Sequence, residues 1–116
     1  MSEEIFTTGS GNVFVDLGFS EEEAAELTIK SCLFSILQEA IAKALETSTQ
    51  AQIAKRLGVD QPIISKIQND KMSGFSVERI ASYLLRLNYD ISLAAHPAPA
   101  ERSGRVIPAK QNRSIA

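Results

Sequence analysis

Gln61, Ser65, Lys66, Asn69 and Lys71 are the residues of this 116-residue chain whose types and spacing carry the most usable chemistry, and that chemistry is recognition rather than bond making. A glutamine carboxamide sets an acceptor beside a donor, which matches the major-groove edge of adenine. Lys66 lies further along the same short segment and can reach guanine O6 and N7 or a phosphate. Asn69 and Lys71 suit the phosphodiester backbone, which positions a protein without specifying sequence. Pro62 and Ile63 offer apolar contact to a thymine methyl. Bond-making chemistry lacks its parts. The one histidine, His96, has no carboxylate or thiol at motif spacing, and Cys32, the one cysteine, falls on an apolar helical face. Metal-ligand spacings such as C-x-x-C, a phosphate loop and a nucleophile elbow are missing from the sequence, so no enzyme activity, cofactor or metal is expected.

The surrounding residues predict how these side chains are held. Thr49 with Gln52 forms a capping-box pair, which starts a helix at Gln50. Ile53, Ala54 and Leu57 share one face of that helix, and small Ala54 permits a close crossing. Gly58 supplies the left-handed residue that ends it. Val59 plugs the turn, Asp60 caps the next helix, and Gln61 and Pro62 fill its first turn, where proline costs nothing. Ile64 and Ile67 point inward, leaving Gln61, Ile63, Ser65, Lys66 and Asn69 for solvent or a groove. The pattern is a helix-turn-helix whose second helix, Gln61 to Asn69, enters the DNA major groove.

The run from Thr49 to Lys71, TQAQIAKRLGVDQPIISKIQNDK, resembles the Xre/Cro type of helix-turn-helix. With NVFVDLGFSEEEAAEL at 12–27 and GFSVERIASYLLRLNYDISL at 74–93, the wider chain is similar to HigA-like antitoxins and their stand-alone Xre relatives. The resemblance implies a mainly α fold: a five-helix, lambda-repressor-like helix-turn-helix bundle. It also places Gln50 against the DNA backbone or a base edge. The expected DNA-binding set is then Thr49, Gln50, Gln61, Pro62, Ser65, Lys66, Asn69 and Lys71. Further implications are an operator in double-stranded DNA and a RelE-like toxin held inactive by this chain, with autoregulation of the shared operon. A stand-alone repressor and a protein-interaction module without DNA binding are the alternatives. Two positions depart from the family pattern: Asp60 stands where a small hydroxyl residue is usual, and Asn69-Asp70 replaces the usual Asn-Gly.

Charge is divided along the chain. The net value is −2, but residues 1–47 hold nine acids and two bases, giving −7, while residues 48–116 hold five acids and ten bases, giving +5. The basic part suits phosphate contact, and the acidic part suits solvent or a basic protein partner. The missing disulfide potential, secretory signal and ~20-residue apolar run point to a cytoplasmic protein with no membrane contact.

Three regions are expected: a flexible N-terminus at 1–12, the DNA-binding domain with its dimerisation elements at 13–96, and a basic, disordered tail at 97–116. Ser20 and Glu23 form a second capping box, opening helix that extends to about Glu46, either unbroken or interrupted near Lys30 and Ser31. Phe75, Ser76 and Ile80 form a hydrophobic staple that opens a last helix running to about Leu87, with Asn88 just past its end. The alternation of Tyr89, Ile91, Leu93 and Ala95 with Asp90, Ser92 and Ala94 predicts a short C-terminal β-strand, paired with its copy in a homodimer or with 13–15. A dimer is expected in any case, because one recognition helix buries little surface and two joined rigidly raise affinity through effective concentration.

Overall fold

The computed structural model describes residues 13–109, so the expectations for 1–12 and for 110–116 lie outside the described residues. Five helices are present among these: α1, Val13–Asp16; α2, Glu21–Ala44; α3, Gln50–Leu57; α4, Gln61–Gln68; and α5, Val77–Arg86. They belong to two compact units, one holding described residues 13–28 and 96–109, the other 29–95.

In the first unit, α1 is a single turn, and the Phe14 and Phe19 rings meet edge to face with centroids 6.3 Å apart. Ser20 caps α2 by the expected reciprocal bonds. Its hydroxyl accepts from the Glu23 amide, and the Glu23 carboxylate accepts from the Ser20 amide, both at 3.1 Å. Three glutamates in the first turn, Glu21, Glu22 and Glu23, complement the positive end of the helix dipole. Ala24 is buried, and buried Thr28 satisfies its hydroxyl by donating to the Ala24 carbonyl one turn back at 2.7 Å. Residues 96–109 form no helix or strand, with Arg102 and Val106 half-buried.

The second unit carries the main core. Phe34, Leu37 and Ile41 from α2 are buried together with Ile53, Ala54 and Leu57 from α3, Ile64 and Ile67 from α4, and Ile80, Tyr83 and Leu84 from α5. Each fully buried Leu, Ile or Phe contributes about 1.5–3 kcal/mol relative to exposure, so the apolar faces of α3, α4 and α5, helices too short to be stable alone, are held in place by one another and by α2. Phe75 enters from the loop before α5 and tilts against Phe34 at 5.9 Å and Tyr83 at 6.4 Å. The Arg79 guanidinium stacks over the Phe75 ring and donates to the Tyr83 hydroxyl at 2.7 Å. The staple is realised: Phe75 and Ile80 are both buried, and the Ser76 hydroxyl accepts from the Arg79 amide.

Two expectations about the elements are settled and one is corrected. Residues 21–44 make a single unbroken helix, which passes into a turn at Leu45. Asn88 takes the left-handed conformation at φ 68° just past α5. The predicted C-terminal β-strand is not formed, and there is no strand among the described residues. The physical reason lies at its first residue. The Tyr89 amide donates to the Leu84 carbonyl at 3.0 Å and the Asn88 amide to the Leu85 carbonyl at 3.1 Å, so the segment begins as the closing cap of α5. Tyr89 and Ile91 then pack against the core while Leu93 is 92% exposed, and residues 13–15, the proposed pairing partner, are helical.

Candidate nucleic-acid interface

The helix-turn-helix is built from caps outward. The Thr49 hydroxyl accepts from the Gln52 amide at 3.1 Å, and the Gln52 side chain accepts from the Thr49 amide at 2.8 Å, so α3 opens with a complete capping box. Gly58 closes it at φ 71°, and Val59 donates its amide to the Ala54 carbonyl. A side chain at Gly58 is disfavoured for a second reason: a Cβ would lie 2.7 Å from the Arg86 guanidinium and push it off the Leu57 carbonyl, to which it donates at 2.8 Å. Arg56 in turn donates to the Arg86 carbonyl at 3.2 Å. The turn is thus braced by α5, a tie that no local pattern in 49–69 reveals.

Asp60 sits at the N-cap position of α4 but makes no side-chain cap bond. Its expected role as a cap is corrected for a simple reason. An N-cap side chain serves the amide at the second or third helical residue. Here the second residue is Pro62, which has no N–H, and the third, Ile63, already donates to the Asp60 carbonyl at 3.0 Å.

Ile64 and Ile67 bury the inner face of α4. The outer side presents Gln61, Pro62, Lys66, Gln68 and Asn69 exposed, with Ile63 and Ser65 half-buried. Lys71 is exposed just beyond the helix, its amide donating to the Lys66 carbonyl at 3.0 Å. Thr49 is exposed at the start of α3, with its hydroxyl committed to the cap. Gln50 and Gln61, eleven residues apart in sequence, are joined directly: the Gln61 carboxamide N–H donates to Gln50 Oε1 at 3.0 Å.

Two residues outside the expected set complete this surface. Gln68 Oε1 accepts from Gln50 Nε2 at 2.7 Å, so three glutamines form a chain of side-chain amides from Gln61 through Gln50 to Gln68. The signal was available in outline, since Gln68 follows Gln61 by seven residues and so shares its face of a helix. Gln38 of α2 donates to the Ile67 carbonyl at 2.8 Å and to the Asp70 carboxylate at 3.3 Å. That bond accounts for an acid where glycine is usual. Asp70 adopts φ 64° past the end of α4, and its side chain is engaged by Gln38 from the body of the domain.

The polar composition, the exposed helix and its rigid mounting make a surface able to present hydrogen-bonding side chains in a fixed array. Among the described residues no group of three or more His, Cys, Asp or Glu could hold a metal ion, and no helix is long and apolar enough to cross a membrane. Comparison with known proteins bears on what such a surface does. A family model described as a helix-turn-helix domain matches residues 13–96. The chain is also similar to a solved structure described as an XRE family transcriptional regulator, with a TM-score of 0.64 and 33% identity over 77% of this chain and 99% of that one. No curated protein matches the sequence.

Proposed function

This chain belongs to the Xre-type helix-turn-helix family and is a DNA-binding transcriptional regulator; from that premise we propose that it is a dimeric, operator-specific repressor that reads base edges with α4. The observation that carries this reading is the Gln61–Gln50 bond. It holds the base-reading carboxamide at the first turn of an exposed helix, the part of a recognition helix that enters the major groove. In this reading Gln61 pairs with adenine, Ser65 and Lys66 contact bases or phosphate one turn further on, and Pro62 touches a thymine methyl. Thr49, Gln50, Asn69 and Lys71 fix the register on the backbone. Two subunits place their α4 helices in successive major grooves, which raises affinity through effective concentration. The test is selection of bound duplexes from a randomised pool by the purified chain. A shared, two-fold symmetric sequence supports the reading, and recovery of unenriched sequence overturns it.

A second reading adds a protein partner. The charge of −7 over residues 1–47 lies in a different part of the chain from the basic stretch, and Glu21, Glu22 and Glu26 are exposed on α2. Those features support the role of a type II antitoxin that binds a basic, RelE-like ribonuclease toxin and represses the shared operon. Exposed charges of this kind steer encounter, so the complex forms faster at low salt. Co-expression with the product of a neighbouring gene for a short basic protein tests it. Failure of that product to bind leaves the stand-alone repressor.

A further inference from the structure

We propose that Gln68 is a positioning residue for base reading: through Gln50 it sets which way the Gln61 carboxamide faces and so biases that residue toward adenine and against guanine. The proposal rests on the reading of α4 as the recognition helix. A primary carboxamide has two N–H donors and one carbonyl oxygen. In the chain observed, Gln61 donates one N–H to Gln50, and Gln50 donates one to Gln68. Gln61 therefore keeps a wholly uncommitted Oε1 and a single N–H with respect to this chain. That pair matches adenine, whose N6–H needs an acceptor and whose N7 needs a donor. Guanine offers O6 and N7, both acceptors, and would require the two N–H groups of which one is already spent.

In the observed chain Gln68 accepts at the far end, so Gln50 turns its N–H outward to Gln68 and its oxygen toward Gln61. Gln68 is itself a carboxamide with donors as well as an acceptor, so a side chain at position 68 that can only accept holds this direction more firmly than glutamine does. A residue that can only donate at position 68 reverses the sequence of bonds. Gln50 then offers Oε1 to position 68 and an N–H to Gln61, whose own oxygen becomes the acceptor and whose two N–H groups are released. Gln68 is exposed and at the C-terminal end of α4, away from the first turn, so this influence needs no contact between Gln68 and a base.

Two substitutions separate polarity from charge. Gln68→Glu keeps an acceptor and adds a negative charge, whereas Gln68→Lys leaves only a donor and adds a positive one. Charge alone predicts that lysine strengthens and glutamate weakens binding to every duplex. Bond polarity instead alters a ratio of affinities. The probes are the duplex selected by the wild-type chain and a copy in which the base pair whose preference depends on Gln61 carries guanine in place of adenine. Gln68→Glu is expected to keep or raise the wild-type adenine-to-guanine ratio while binding both duplexes more weakly. Gln68→Lys is expected to lower that ratio by roughly tenfold, even as random DNA is bound more tightly. Unchanged ratios in both variants, or a ratio lost with glutamate and kept with lysine, overturn the proposal. Circular dichroism melting of each variant excludes unfolding as the cause. If the wild-type chain selects no sequence at all, the recognition reading itself fails, and that result is distinct from either outcome above.

Discussion

Arg56 and Arg86 cap one another's helices. Arg86 of α5 donates to the Leu57 carbonyl at the end of α3, and Arg56 of α3 donates to the Arg86 carbonyl at the end of α5. Each guanidinium thus meets the negative end of the other's helix dipole, which offsets the proximity of two cations. The arrangement fixes the crossing of α3 and α5 at the turn that orients α4.

Gly58 and Arg86 are consequently coupled. Arg86→Ala is expected to destabilise the fold by about 1 kcal/mol, a value at the low end for a charge-assisted bond because the side chain is exposed. Gly58→Ala is expected to cost more, about 2 kcal/mol, from a left-handed alanine and from collision with the guanidinium. Urea denaturation of the double variant checks the cause: its loss falls short of the sum of the single losses, because removing Arg86 also removes the collision.

Base reading and phosphate contact give different signatures. Gln61→Ala is expected to lose roughly 1–3 kcal/mol on the selected site and to relax the preference at one base pair. Lys71→Ala is expected to weaken all sequences alike and to reduce the salt slope of binding by about one unit. Fluorescence anisotropy over a salt series measures both. Equal losses for Gln61→Ala on specific and random DNA would remove Gln61 from base reading.

A dimer fitted to B-form DNA has recognition helices about 34 Å apart, one helical turn. Sedimentation velocity with and without the selected duplex tests this. A monomer at tens of micromolar that also binds DNA as a monomer would refute the two-fold arrangement.

Burial pushes the Cys32 thiol above its ordinary pKa. The thiolate is the reactive form, so a raised pKa lowers its fraction at neutral pH and shifts its appearance to higher pH. Alkylation by iodoacetamide at pH 7 is expected to be slower than that of a free cysteine and to rise at higher pH than a free cysteine's does. Denaturing the chain should abolish the difference; equal rates in both states would show that the fold does not protect the thiol.

Gln38 supplies a further handle on the end of α4. Removing its bonds to the Ile67 carbonyl and the Asp70 carboxylate by Gln38→Ala is expected to cost about 1 kcal/mol. In an Asp70→Gly background the loss should be smaller, because glycine adopts the left-handed conformation without help and one of the two bonds is already gone. Thermal melts of the four proteins in this cycle decide the matter.

Much of the local architecture was legible in the amino-acid sequence because it depends on neighbours a few residues apart. Ser20 with Glu23, Thr49 with Gln52, Gly58, and Phe75 with Ser76 and Ile80 each satisfy or terminate a helix within one turn, and each took the role its type predicts. The inward faces at Ile53 and Leu57 and at Ile64 and Ile67 followed from helical spacing alone. What failed was the inference that needed a partner. The alternation at 89–95 could not become a strand without a second one, and the Tyr89 amide was already bound to the end of α5. Asp60 likewise lost its capping role because the amides it would have served were absent or taken. Only tertiary structure could join Gln50 to Gln61 and Gln68, bring Gln38 to Asp70, or set Arg86 against Gly58. Those contacts span 11 to 32 residues, and their side chains are polar and exposed or half-buried, so no hydrophobic period marks them. Their partners are decided by how the packed helices cross.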